Sequence, residues 1–202
     1  MKIISRYIGC MLFSGLIITG AKAQDVPSSK TNKKHTFTIY AGLGPDFYFN
    51  NLTISKNYVR ELNYAFVTRF MWEPEHFLSL GFETGYNRLY HINESPTSGS
   101  QVKIVNAAIP IQLVISMKFL QNFYGSFTMG QSVLLNNVST RYNGATNTIN
   151  ATSVSLGDFG LNMGYRKLIS DRFFLGSELK IFYSSKLDDR NLGLIFMAGY
   201  RL

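Results

Sequence analysis

The sequence predicts an all-β chain, an eight-stranded antiparallel up-and-down transmembrane β-barrel, on three observations. From Thr36 to Leu202, segments of roughly ten residues place apolar side chains at every second position, the strand signature. The connections between segments alternate long and short, as in barrels with short turns at one end and long loops at the other. The face opposite the apolar one is rich in Gly, Ser, Asn, Ala and Gln and poor in charge. A soluble sandwich or a lipocalin-like barrel would bury its apolar face and crowd charge onto the other, so the pattern favours a polar lumen and an apolar exterior.

The first predicted strand, 36–48, turns Phe37, Ile39, Ala41 and Leu43 outward, and Gly42–Pro45 is expected to bend it or end its regular part. The second, 58–72, exposes Leu62, Tyr64, Phe66, Phe70 and Trp72, and the third, 76–91, exposes Leu78, Leu80, Phe82 and Tyr86. In the fourth, 101–117, the outward set is Ala107, Ile109, Ile111, Leu113, Ile115 and Met117, with Pro110 expected to mark a bulge or bend. The fifth, 122–135, has no clear facing. The sixth, 152–166, exposes Phe159, Leu161, Met163 and Tyr165. The seventh, 172–184, and the eighth, 191–202, complete the set, and the last must pair with the first to close the barrel. Longer connections fall at 49–57, 92–100, 136–151 and 185–190.

Ahead of the strands, Lys2 and Arg6 precede an uncharged apolar run from Tyr7 to Thr19, and Ala21-Lys22-Ala23 fits a cleavage site. Residues 1–23 therefore read as a cleaved signal peptide, 24–35 as a short periplasmic segment, and 36–202 as the barrel. Cys10 lies inside the apolar run, so a lipid-anchored cysteine is not expected, and the mature chain has no thiol. Without Lys2, Arg6 and Lys22 the chain keeps 17 basic and 12 acidic residues, a net charge of +5. These charges are scattered, which argues against nucleic acid and for contact with outer-membrane lipid and lipopolysaccharide.

The stretch Ala108-Ile109-Pro110-Ile111-Gln112-Leu113, followed by Phe123-Tyr124-Gly125-Ser126, resembles the outer-membrane β-barrel domain of Bacteroidetes, the PorT-like group. The resemblance implies residence in a Gram-negative outer membrane. Some members of the group serve secretion and gliding, which makes surface or secretion proteins candidate partners, but no residue here carries that role over.

An eight-stranded lumen is filled by side chains, so an open pore is not expected. The predicted inward positions include Arg69, Glu83, Gln112, Asp158, Asn162, Glu178, Lys180 and Arg201. A hairpin symmetric about Ile169 sets Asp158 opposite Lys180 and predicts a lumenal ion pair there, structural rather than a proton relay. Arg141 and Tyr142, inside the polar 136–151 segment, are the candidate binding anchors. Of the three histidines, His35, His76 and His91, only His91 sits near serines (Ser95, Ser98 and Ser100), without a nucleophile elbow. No catalytic residue, cofactor or metal is expected. The function expected is a non-enzymatic structural, binding or surface-assembly role through the outer loops, with a lipid-modifying acyl hydrolase or a narrow ion or solute channel as the alternatives.

Overall fold

Alternating side chains do build a closed barrel. The structure, a computed structural model, describes residues 36–49, 58–74, 77–95 and 100–202. The expected signal peptide, the 24–35 segment, His35, His76 and Ser98 lie outside the described residues. The strands are β1 (Thr36–Phe49), β2 (Val59–Arg60), β3 (Leu62–Glu73), β4 (Leu78–Glu94), β5 (Ser100–Lys118), β6 (Phe123–Tyr142), β7 (Ala145–Leu168), β8 (Phe173–Ser184) and β9 (Asp189–Arg201). Every pairing is antiparallel, and β1 closes the ring between β3 and β9. The two residues of β2 continue the line of β3 past Glu61 and pair with β4, so the wall is eight strands round.

Closure satisfies the backbone within the sheet, the condition for crossing hydrocarbon. The outward side chains form the matching apolar belt. Phe173, Leu175, Leu179 and Ile181 of β8 are all exposed, as are Leu78, Leu80 and Phe82 of β4. From Phe173 to Tyr183, β8 rises about 33 Å along its axis, or about 25 Å at a tilt near 40°, the height of a membrane-barrel belt. Aromatic pairs rim it: Phe37 stacks on Phe70 at 5.6 Å and Phe123 meets Tyr165 at 5.0 Å near the short turns. At the other end Tyr64 stacks on Tyr86 at 5.9 Å and Phe159 meets Tyr183 at a tilt, 4.8 Å between centroids.

The predicted outward sets of the first, second, third and sixth strands all face outward, and Pro110, Gln112 and Ala108 set the inward parity of β5. Ala107 is the exception. It shares the outward parity of Ile109 and Ile111, yet only 2% of it is exposed, because it lies beside Arg88 and Leu135 in a crowded stretch of wall. The facing left open for the fifth strand is plain in β6: Tyr124, Ser126, Thr128, Ser132 and Leu134 point in, while Phe127 and Met129 point out.

Three local expectations are corrected. No bulge forms at Pro110. It pairs with Ser132 in an unshifted register, and its missing N–H is accommodated by a lapse in the β4–β5 ladder between Thr84 and Asn87. The bulges fall instead at Leu89 in β4 and at Gly157 in β7, whose φ of +78° suits glycine. Gly42–Pro45 does not end β1, which keeps an unbroken register with β3.

Residues 136–151 are not a loop. β6 and β7 run on through them as paired strands, joined by a two-residue turn at Asn143-Gly144, with φ of +45° and +82°. Positive φ at both central positions is the type I′ geometry that Asn-Gly favours.

Candidate functional site

Two regions hold the chemistry, the lumen and the sheet beyond its long-strand end. Arg69 and Glu83 face inward from directly paired positions on β3 and β4. Arg69 Nε donates to Glu83 at 2.6 Å, and its two terminal nitrogens each donate to Glu178 of β8 at 2.7 Å. Lys180, two residues along β8, donates to Glu83. Tyr124 Oη closes the set by donating to Glu178 at 2.8 Å. The four ionised side chains balance in charge, and none is more than 4% exposed.

Nearer the short turns a second cluster centres on Glu73. It receives Arg166 through two nitrogens, at 2.6 and 2.9 Å, Lys118 at 2.9 Å, and the Tyr40 hydroxyl. The Arg166 guanidinium also lies over the rings of Tyr40, Tyr124 and Phe174, each within 5.7 Å. These rings lie across the lumen because Gly164 and Gly199 leave room; a Cβ at Gly199 would come within 1.9 Å of Phe174. Toward the long-strand end Leu89, Ala108, Leu134 and Phe182 pack together, under Tyr90 and Leu187. Alternating ionic and apolar layers therefore fill the barrel along its axis.

All eight predicted inward residues face the lumen; seven are buried and Arg201, at the short-turn mouth, is half-buried. The predicted pairing of Asp158 with Lys180 does not form. The β7–β8 register sets Lys180 opposite Asn162, because the hairpin centres on Asp171 rather than Ile169. Asp158 instead accepts Ser155 Oγ at 2.5 Å and the Ser185 backbone N–H at 2.8 Å, tying β7 to the β8–β9 turn. Lys180 finds Glu83, and Arg69 finds Glu178, across the lumen, where no hairpin arithmetic reaches; only Arg69 with Glu83 is a hairpin pair.

Beyond the lumen the wall is uneven. β8 ends at Ser184, whereas β7 begins at Ala145 and meets β8 first at Phe159. Residues Ala145–Leu156 therefore pair with β6 alone among the described residues. Together β2 and the ends of β4, β5, β6 and β7 form a projecting sheet. Arg141 and Tyr142 are the last residues of β6 and take opposite faces, so they are not one paired anchor. Tyr142 lies on the inner face opposite Ala145, and Arg141 lies on the outer face between Gln101 and Thr146.

Sequence reading missed a basic collar at the base of this sheet. Arg60 and His91 are paired neighbours on the outer face, Lys103 is level with Asn93 on the same face, and Arg88 lies over the Tyr64 ring at 5.8 Å. Arg190 lies over Tyr183 at 6.0 Å on the opposite flank. Arg88 and His91 share β4, and the pairing of β2, β4 and β5 brings Arg60 and Lys103 to them. His91 pairs with Val105, five residues from Ser100 along β5, a separation of about 17 Å that excludes a direct hydrogen bond between the two side chains. No group of three or more His, Cys, Asp or Glu side chains able to hold a metal occurs among the described residues.

Two solved structures of Ail, the attachment invasion locus protein of Yersinia pestis, align with this chain at TM-scores of 0.51 and 0.50, the latter in complex with the heparin analogue sucrose octasulfate. Each is 9% identical, over 84% of this chain and 99% of Ail. Neisserial surface protein A aligns at a TM-score of 0.43 with 14% identity, over 84% of this chain and 98% of that one. No family model and no curated protein matches the chain. The fold is that of small eight-stranded outer-membrane barrels.

Proposed function

We propose that this is a non-enzymatic outer-membrane protein, of the PorT-like kind suggested by its Ile109-Pro110-Ile111 strand, that presents a polar β-sheet at the cell surface for binding or assembly with surface or secretion proteins. The projecting β6–β7 hairpin carries the reading. It is paired, regular structure beyond the end of β8, its residues from Arg141 to Thr152 are exposed, and the barrel fold does not need it. The short turns then face the periplasm. The collar of Arg60, Arg88, Lys103 and Arg190 lies where the outer-leaflet phosphates of lipopolysaccharide would meet it. The layered lumen favours a rigid support over a channel, and the distance between His91 and Ser100 weighs against an acyl hydrolase.

Two measurements test the reading. Folded protein in a planar bilayer should carry no single-channel current, and steady conductance would refute it. Deleting residues 137–150 with a short turn in their place should abolish partner binding or surface assembly while heat-modifiable gel migration persists. Unchanged cell-surface behaviour in that deletion would refute a binding role for the hairpin.

A further inference from the structure

The sheet that projects from the barrel ends in an open edge. Among the described residues, the nine of β7 from Ala145 to Ser153 pair with β6 alone, while the next three are covered by Ser185 and Lys186. The stretch Ala-Thr-Asn-Thr-Ile-Asn-Ala-Thr-Ser holds no charged residue, no proline and no bulge, the devices by which proteins blunt an exposed edge. Such an edge presents alternating backbone N–H and C=O groups, and the ligand chemistry that matches that row is another extended backbone.

The inner face of the sheet adds a side-chain requirement. Val59 pairs with Ile92, Ile92 with Ile104, Ile104 with Val138, and Val138 with Ile149. This is one apolar row across five strands. Within it Ile92 is 9% exposed and Ile149, on the edge strand, 62%. The row stops where the sheet stops, and one further strand would extend it over Ile149.

We propose that the Ala145–Ser153 edge binds an extended segment of a partner polypeptide by strand addition, with an apolar side chain of that segment seated beside Ile149. This inference rests on the surface-binding reading above and names its ligand. A second copy of this chain fits less well. Two copies in one membrane project the same way, so their β7 edges could pair only in parallel, the weaker ladder. A foreign segment is free to run antiparallel.

The test uses the full chain in lipid nanodiscs and a fluorescent nine-residue peptide of alternating threonine and asparagine with a central isoleucine, matched to the nine-residue edge. The expected result is saturable binding that slows amide exchange at 145–153. N-methylation of alternate peptide amides should weaken it at least about tenfold, because the ladder is lost. Replacing the central isoleucine with threonine, or making Ile149→Thr, should weaken it by about the same factor, and Ile149→Lys by more. Exchange protection of 137–142 in the free variants checks that the hairpin still forms. Absence of protection at about 1 mM peptide would overturn the proposal, as would equal binding of the N-methylated peptide. Peptide-free dimers cross-linked through Asn150→Cys would overturn it in favour of self-association. If the 137–150 deletion abolishes surface binding but the peptide gives no protection, strand addition alone fails and the broader reading stands.

Discussion

Removing Arg69 should cost this barrel a large part of its stability. Its guanidinium makes short contacts to two carboxylates, Glu83 at 2.5 Å and Glu178 at 2.7 Å, in a site where all three side chains are nearly inaccessible. In Arg69→Met the methionine fills most of the volume, Glu83 keeps Lys180, and Glu178 keeps only the Tyr124 hydroxyl. A carboxylate left buried without its cation costs about 3–5 kcal/mol, either as unpaired charge or as the work of protonating it. Domain stabilities are about 5–15 kcal/mol, so the loss is a third or more of the total in most cases. With a urea dependence of about 1–3 kcal/mol per molar, the unfolding midpoint in vesicles should fall by at least about 1 M. Trp72 fluorescence and heat-modifiable gel migration can both follow the transition, since Trp72 is the single tryptophan. Arg69→Met with Glu178→Gln leaves one balanced pair, Lys180 with Glu83, and should recover at least half of the loss. A single variant within about 0.5 kcal/mol of wild type, the value of a solvated pair, would refute the picture of a dry ionic layer. So would a double variant no better than the single.

Gly164→Val should displace Tyr124, since a Cβ there would come within 2.5 Å of its ring, and lose about 1–3 kcal/mol in the same urea assay; an unchanged midpoint would show that the ring has room to move. Gly144→Val puts a β-branched residue at φ +82° and should loosen the hairpin by about 1–3 kcal/mol, read as faster amide exchange over 137–150, while the barrel midpoint stays put. Trp72, outward near the short turns, should be quenched more by lipids brominated close to the headgroup than by those brominated at the chain ends; the reverse order would move the belt.

Much of this architecture was legible in the chain because alternation is a local property. Successive Cβ atoms point to opposite faces, so Phe82 could be assigned outward and Glu83 inward without knowing any neighbour. The hairpin at Asn143-Gly144 had its own signal, the Asn-Gly pair, but its flanks lack apolar alternation because both faces meet solvent. A polar run of this kind resembles a loop in composition, and only strand pairing distinguishes the two. Arg141 and Tyr142, both candidate anchors on the expected loop, lie on opposite faces of β6.

Asp158 and Lys180 mark where local reasoning ends. Both face inward as their parity requires. Their partners depend on the hairpin centre, and moving it from Ile169 to Asp171 shifts each partner by an even number of residues, which preserves the face and changes the neighbour. The same holds for Glu83 with Lys180, for Arg69 with Glu178, and for the row from Val59 to Ile149, none of which adjoin in sequence. The sequence by itself determined the strand count and, for every strand but the fifth, which parity faces outward, because those follow from a period of two. Only the closed tertiary structure decided which inward charges meet across the lumen and which strand is left with an open edge, because those follow from register and closure.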